Sequence, residues 1–198
     1  MSMINKAVED MKEWNRRTDM DQREQPHLPM VRTEAKWVPP PPNWFNCNVD
    51  GAWDESKDQC GIGWVSRNHQ GEVFWMELRK LPKLCTPIEV EAEALRYAMR
   101  TMLRLNFRNV IFVSDSESLV EALREEPLRP SLHTYLQDIT HMSKRVASSK
   151  VIFQGREANR VADRIAKEAI SLEISAPKLY TVMPIWLKFY LENDFVCV

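Results

Sequence analysis

The chain has 198 residues, of which 44% are hydrophobic and 28% charged, with a formal net charge of −1 at pH 7. That length suits one domain with extensions, and the near-neutral balance gives no global pull toward nucleic acid, so any such pull must be local. Four cysteines without a C-x-x-C pair or zinc spacing, no apolar leader and no run near the ~20 residues of a membrane span lead us to expect an intracellular, non-secreted protein with no membrane partner.

Residues 1–43 are expected to be a polar tail, with one short helical stretch around Ala7–Arg17. They close in "KWVPPPPNW", whose consecutive prolines favour an extended lead-in. The folded domain is expected over 44–171, with an apolar C-terminal extension over 172–198 that docks either on the domain or on a partner. Trp44–Asp50 alternates well enough for a strand. It ends in a carboxylate followed by Gly51 and Ala52, two residues too small to screen it. Such an aspartate either caps a turn or is held bare for a cation.

Cys60–Arg67 and Glu72–Lys80 read as two further strands, joined by "NHQG" as hairpin material. Pro87 can open a helix, and Ile88, Glu91, Leu95, Ala98, Met99 and Met102 recur at three and four to about Leu105. Val110–Val113 is a short apolar run, as in a strand buried on both faces. Ser116 is a good N-cap for a helix reaching Leu123, and Pro127 and Pro130 break it. A helix over 131–147, a strand over 150–155 and a helix from Asn159 to about Ser171 complete the chain. The order β-β-β-α-β-α-α-β-α predicts an α/β fold, a mixed five-stranded sheet flanked by helices.

On that scaffold four acids gather at element ends. Asp50 ends the first strand, Asp115 follows the buried one, Glu91 lies early in the first helix, and Asp163 lies in the second turn of the last. Ligands collect at strand ends in open α/β sheets, and carboxylates brought together there repel unless a cation neutralises them. Oxygen ligands without histidine or thiolate suit Mg²⁺ or Mn²⁺. A pair of such ions about 3.5–4 Å apart is the usual arrangement for phosphodiester hydrolysis. Each acid also has a plainer reading: Glu91 favours the helix dipole, Asp115 with Ser116 opens a helix, and Asp163 amid Arg160, Arg164 and Lys167 is an ion-pair partner. Lys144, Arg145, Lys150, Arg156, Arg160, Arg164 and Lys167 make a basic cluster beside the acids, either a phosphate-backbone track or a solvated face. Lys150, Arg156, Asn159 and Arg160 are the candidate nucleic-acid contacts, Asn159 also being a helix cap.

The segments "CNVDGAW", "GIGWVSR", "TPIEVEAEAL", "VIFVSDSESLV" and "REANRVADRIAKEA", in that order, resemble the ribonuclease H type 1 fold. They are most similar to its plant branch, at the C-terminal end of non-LTR retroelement reverse transcriptases, over about residues 36–170. The resemblance implies that Asp50, Glu91, Asp115 and Asp163 are catalytic and bind two Mg²⁺ ions, with Mn²⁺ as a substitute, to cut the RNA strand of an RNA–DNA hybrid. It implies that Asp50 bridges the ions, Glu91 and Asp115 hold one, and Asp163 holds the other. The choice of Glu91 over Glu89 and Glu93 follows the family pattern. A related integrase would carry a glutamate where Lys150 stands, and a proofreading exonuclease an acid at Ala52. The family's active members place a histidine ten residues before the last aspartate, where this chain has Phe153, so slow turnover is expected. Cellular enzymes also carry hybrid-contacting asparagines where Thr86 and Pro87 stand. The competing expectation is a catalytically weak or inactive nucleic-acid-binding or protein-interaction relic that kept the fold.

Overall fold

The computed structural model describes residues 36–124 and 130–194; the stretch around Ala7–Arg17, Pro127 and Cys197 lie outside them. Strands β1 (Phe45–Ala52), β2 (Gln59–Arg67) and β3 (Val73–Pro82) form an antiparallel meander. Asn68 and Gly71 build the β2–β3 turn: Asn68 Oδ1 accepts from the backbone N–H groups of Gln70 and Glu72, both at 2.9 Å, and Gly71 takes a φ of 79°. Helix α1 (Pro87–Arg104) follows, then β4 (Asn109–Ser114), the short α2 (Glu117–Ala122), α3 (His133–Arg145), β5 (Ser148–Phe153) and α4 (Arg160–Ile170). The extension adds β6 (Lys178–Tyr180) and α5 (Ile185–Asp194).

The sheet order is β5-β4-β1-β2-β3-β6, with β1–β4 and β4–β5 parallel and the remaining pairs antiparallel. The expected mixed sheet is there, but it has six strands rather than five. The addition is β6, which pairs Lys178–Tyr180 with Met76–Leu78 of β3. A three-residue strand carries too little alternation to be read from sequence. What delivers it is the packing of α5, whose Leu187 and Leu191 are buried with Val65, Met76 and Leu78. The extension therefore docks on the domain itself.

Two apolar layers flank the sheet. One joins Cys47, Val49, Ile62, Trp64 and Phe112 to Leu95, Met99 and Met102 of α1 and Leu136 and Ile139 of α3. The other joins Val65, Met76 and Leu78 to Val161, Ile165 and Ala169 of α4 and to α5. Central strand β1 is accordingly buried on both faces from Asn46 to Asp50. The packed chain also begins earlier than Trp44: Trp37 is buried under the Arg67 guanidinium, 3.8 Å from its ring centre, and Val38 O accepts from Asn46 Nδ2 at 3.2 Å. No helix among the described residues is long and apolar enough to cross a membrane.

Candidate metal centre

Parallel pairing of β1 and β4 sets Asn48 opposite Val113, which leaves Asp50, two residues before the end of β1, level with Asp115 just past the end of β4. Glu91 arrives from α1. Thr86 and Pro87 start that helix, and the Glu89 carboxylate accepts from the backbone N–H groups of Cys85 and Thr86 at 3.0 and 3.2 Å, fixing the entry. Glu93 is engaged elsewhere, with Arg96 at 2.6 Å. Of the three glutamates in this turn, Glu91 is the one that reaches Asp50.

Gly51 makes that approach possible. A Cβ there would lie 2.8 Å from Val90 Cγ1 and 2.9 Å from the Val90 carbonyl carbon. The small residue after Asp50 therefore admits α1 and does not expose the acid, which is only 5% accessible.

One carboxylate oxygen each from Asp50, Glu91 and Asp115 lie within 4.8 Å of one another. Burial, then the neighbouring Asp115 charge, pushes the Asp50 pKa up to about 7, against the hydrogen bond from Glu91. Burial and the Asp50 charge also raise Glu91 well above the usual carboxylate range. Glu91 Oε2 is buried and has no hydrogen-bond partner among the described residues. One oxygen donor from each of three carboxylates, with no histidine or thiolate in the group, fits a hard divalent cation.

Asp163 stands in the first turn of α4, a turn earlier than expected, and is not among the three gathered oxygens. Its Oδ2 accepts from Lys167 Nζ at 2.7 Å, yet its charge is near enough to raise Asp50 further. Beside the acids runs an open groove of about 480 Å³, bordered by Thr86, Ile88, Glu91, Asp115, Ser118 and Arg156.

The basic candidates divide. Arg156, its side chain 81% exposed, places Nε 3.5 Å from Asp115 Oδ2. Arg160 is exposed and paired with Glu157. Lys150 sits opposite Ile111, well back from the strand ends, with its Nζ 5.5 Å from the Trp44 ring centre. Much of the cluster is paired along α4, including Arg164 with Glu168 at 2.8 Å.

The helix-cap reading of Asn159 requires correction. Its side chain makes no capping bond and is fully buried. Nδ2 donates to Val49 O at 2.9 Å and to Asp115 Oδ1 at 3.4 Å, and Oδ1 accepts from Asn48 Nδ2 at 3.0 Å. The sequence reading missed Asn48, Arg67 and Asp194, which complete this polar network. Its signal was the even-numbered face of β1, where Asn46 and Asn48 precede Asp50 in a strand otherwise buried.

The family described as "Reverse transcriptase-like" matches residues 48–169. This chain belongs to the reverse transcriptase-like family. Among solved structures, the reverse transcriptase-like chain is similar to RNase H1 of Halobacterium salinarum at 19% identity and a TM-score of 0.61, covering 65% of this chain and 98% of that one. It is similar to LC11-RNase H1, solved in complex with an RNA/DNA hybrid, at 22% identity and a TM-score of 0.59, covering 64% and 96%. It also resembles a foamy viral protease-reverse transcriptase, likewise solved with a hybrid, at 16% identity and a TM-score of 0.52, covering 64% of this chain and 20% of that one. No curated protein matches. The reverse transcriptase-like domain thus has the ribonuclease H-like fold.

Proposed function

We propose that this domain is a divalent-metal-dependent endonuclease that hydrolyses the RNA strand of RNA–DNA hybrids, and does so slowly. The observation that carries the reading is the convergence of Asp50, Glu91 and Asp115, with a buried Glu91 oxygen that no group among the described residues satisfies. Mg²⁺, with Mn²⁺ as a substitute, would be held by these three and by Asp163, and when bound supplies an activated water and stabilisation of the leaving oxygen.

The chain's own groups do the rest. Asp50 would be the central ligand, since its carboxylate gathers with those of both Glu91 and Asp115. Asp163 joins by leaving Lys167, an exposed pair that is cheap to part. Arg156, at the edge of the groove, is the phosphate contact: once Asp115 has a metal to neutralise it, the guanidinium is available to a substrate phosphate. Arg160 and Lys150 extend that contact along the backbone of the hybrid.

A second reading, a nucleic-acid-binding domain without turnover, is favoured by Phe153. It is 40% exposed at the end of β5, opposite Ser114, where the family resemblance expects a histidine. Labelled hybrid incubated with Mg²⁺ and then Mn²⁺, beside Asp115→Asn, separates the two. Metal-dependent cutting of the RNA strand that vanishes in the variant is the expected result; hybrid binding without cutting under either metal establishes the second reading.

A further inference from the structure

A guanidinium has only donors. That fact fixes the direction of every bond in the buried chain running from Arg67 to Asp115. Arg67 Nη2 lies 3.0 Å from Asn48 Oδ1, so Asn48 must turn its oxygen to the arginine and its amide nitrogen away. That nitrogen donates to Asn159 Oδ1 at 3.0 Å. Asn159 in turn has its nitrogen left for Val49 O and the Asp115 carboxylate. Reverse the first link, and Asn159 would present an oxygen to a carboxylate and to a carbonyl.

Arg67 is itself held from outside the core fold. Its Nη1 donates to Asp194 Oδ2 at 2.6 Å, and the ring of Trp37 lies under the guanidinium. Arg67, Asn48 and Asn159 are fully buried and Asp194 nearly so. A charge in that position persists only when paired, and the partner comes from α5, in the extension.

We propose that Arg67 is a positioning residue for the metal centre, acting through Asn48 and Asn159 to keep an N–H donor on Asp115, with Asp194 of α5 holding it in place. The proposal rests on reading Asp115 as a metal ligand. The extension is then a support of the site and not an appendage. Outer partners that orient a ligand commonly account for about 10–100-fold in metal affinity.

The test uses the full chain and two readouts: Mn²⁺ affinity by calorimetry, and the side-chain amide resonances of Asn159 in metal-free protein by NMR. Arg67→Met removes the donor and leaves Asp194 buried alone, which endangers folding. Arg67→Met/Asp194→Leu removes both charges and restores an apolar pair. Leu187→Ala weakens α5 without touching the chain of bonds. The double variant is expected to melt near the wild-type temperature, lose about 10–100-fold in Mn²⁺ affinity and shift the Asn159 amide signals. Leu187→Ala is expected to melt lower and change neither readout once folded. If the wild type binds Mn²⁺, either readout unmoved in the double variant, or both moved equally by Leu187→Ala, overturns the proposal. If the wild type binds no Mn²⁺, it is the metal reading of the previous subsection that falls, and the amide signals decide alone: moved supports the relay, unmoved overturns it.

Discussion

Asn159 Nδ2 donates to the backbone carbonyl of Val49 at 2.9 Å, tying the entry of α4 to the strand residue immediately before Asp50. Two elements far apart in sequence thereby share one buried amide. The same amide also donates to Asp115, so the candidate metal centre is joined to the entry of α4 as well as to β1.

Asn159→Ala is therefore expected to destabilise the fold by about 1–3 kcal/mol, since it leaves buried groups without partners. Chemical denaturation measures this. A residue that only touched substrate would leave stability within about 0.5 kcal/mol of wild type, so the result separates an internal tie from a surface contact.

The crowded acids predict a pH dependence. The Asp50 pKa rises from 3.8 to about 7 on folding, so over that interval the folded chain keeps a proton that the unfolded chain has released. This contribution to stability is fully present below about pH 3.8 and is lost as pH climbs through about 7. Metal-free protein should thus weaken through this window, and saturating Mg²⁺ should recover much of the loss at the upper end. Unfolding midpoints across the range, with and without Mg²⁺, check both statements; a midpoint at high pH that ignores Mg²⁺ would contradict them.

Gly51→Ala puts a methyl group into Val90. Overpacking of this kind costs about 1–3 kcal/mol, and relief requires α1 to move, carrying Glu91 away from Asp50. We expect lower stability together with weaker Mn²⁺ binding, read by thermal melting and titration on the same sample.

Phe153→His tests the departure from the family pattern. The position is exposed at the strand end beside the site, so the substitution leaves the core alone. A histidine able to move protons there is expected to raise hybrid cleavage by about 10²-fold, with Mn²⁺ affinity unchanged. Single-turnover cleavage assays give the first number and titration the second.

Much of the architecture was legible. Period-two and period-three-to-four patterns located the principal strands and helices, because each element buries a face and must show it in sequence. Asp50 and Asp115 stood out as acids at strand ends, while Glu91 was singled out from Glu89 and Glu93 by the family resemblance; these are the three whose oxygens gather. What the pattern could not carry was the partner of a buried polar group. Asn159 looks like a helix cap from its neighbours, and its true bonds are to Asn48 and Val49, more than a hundred residues away. Arg67 closes an ordinary strand, and only the tertiary fold brings Asp194 to it. Glu168 was likewise overlooked as the partner that takes Arg164 out of the basic cluster.

The two ends of the sheet differ in how they guard against other chains. β6 offers only three residues at one edge, too short a template for a foreign strand. β5 offers six at the other, with an exposed Lys150 near its middle. A strand that paired there would have to dehydrate that ammonium, which discourages intermolecular sheet growth. The lysine that reads in sequence as a hand for phosphate is thus also placed as a gatekeeper against aggregation, and a Lys150→Val chain should precipitate at lower concentration than its parent.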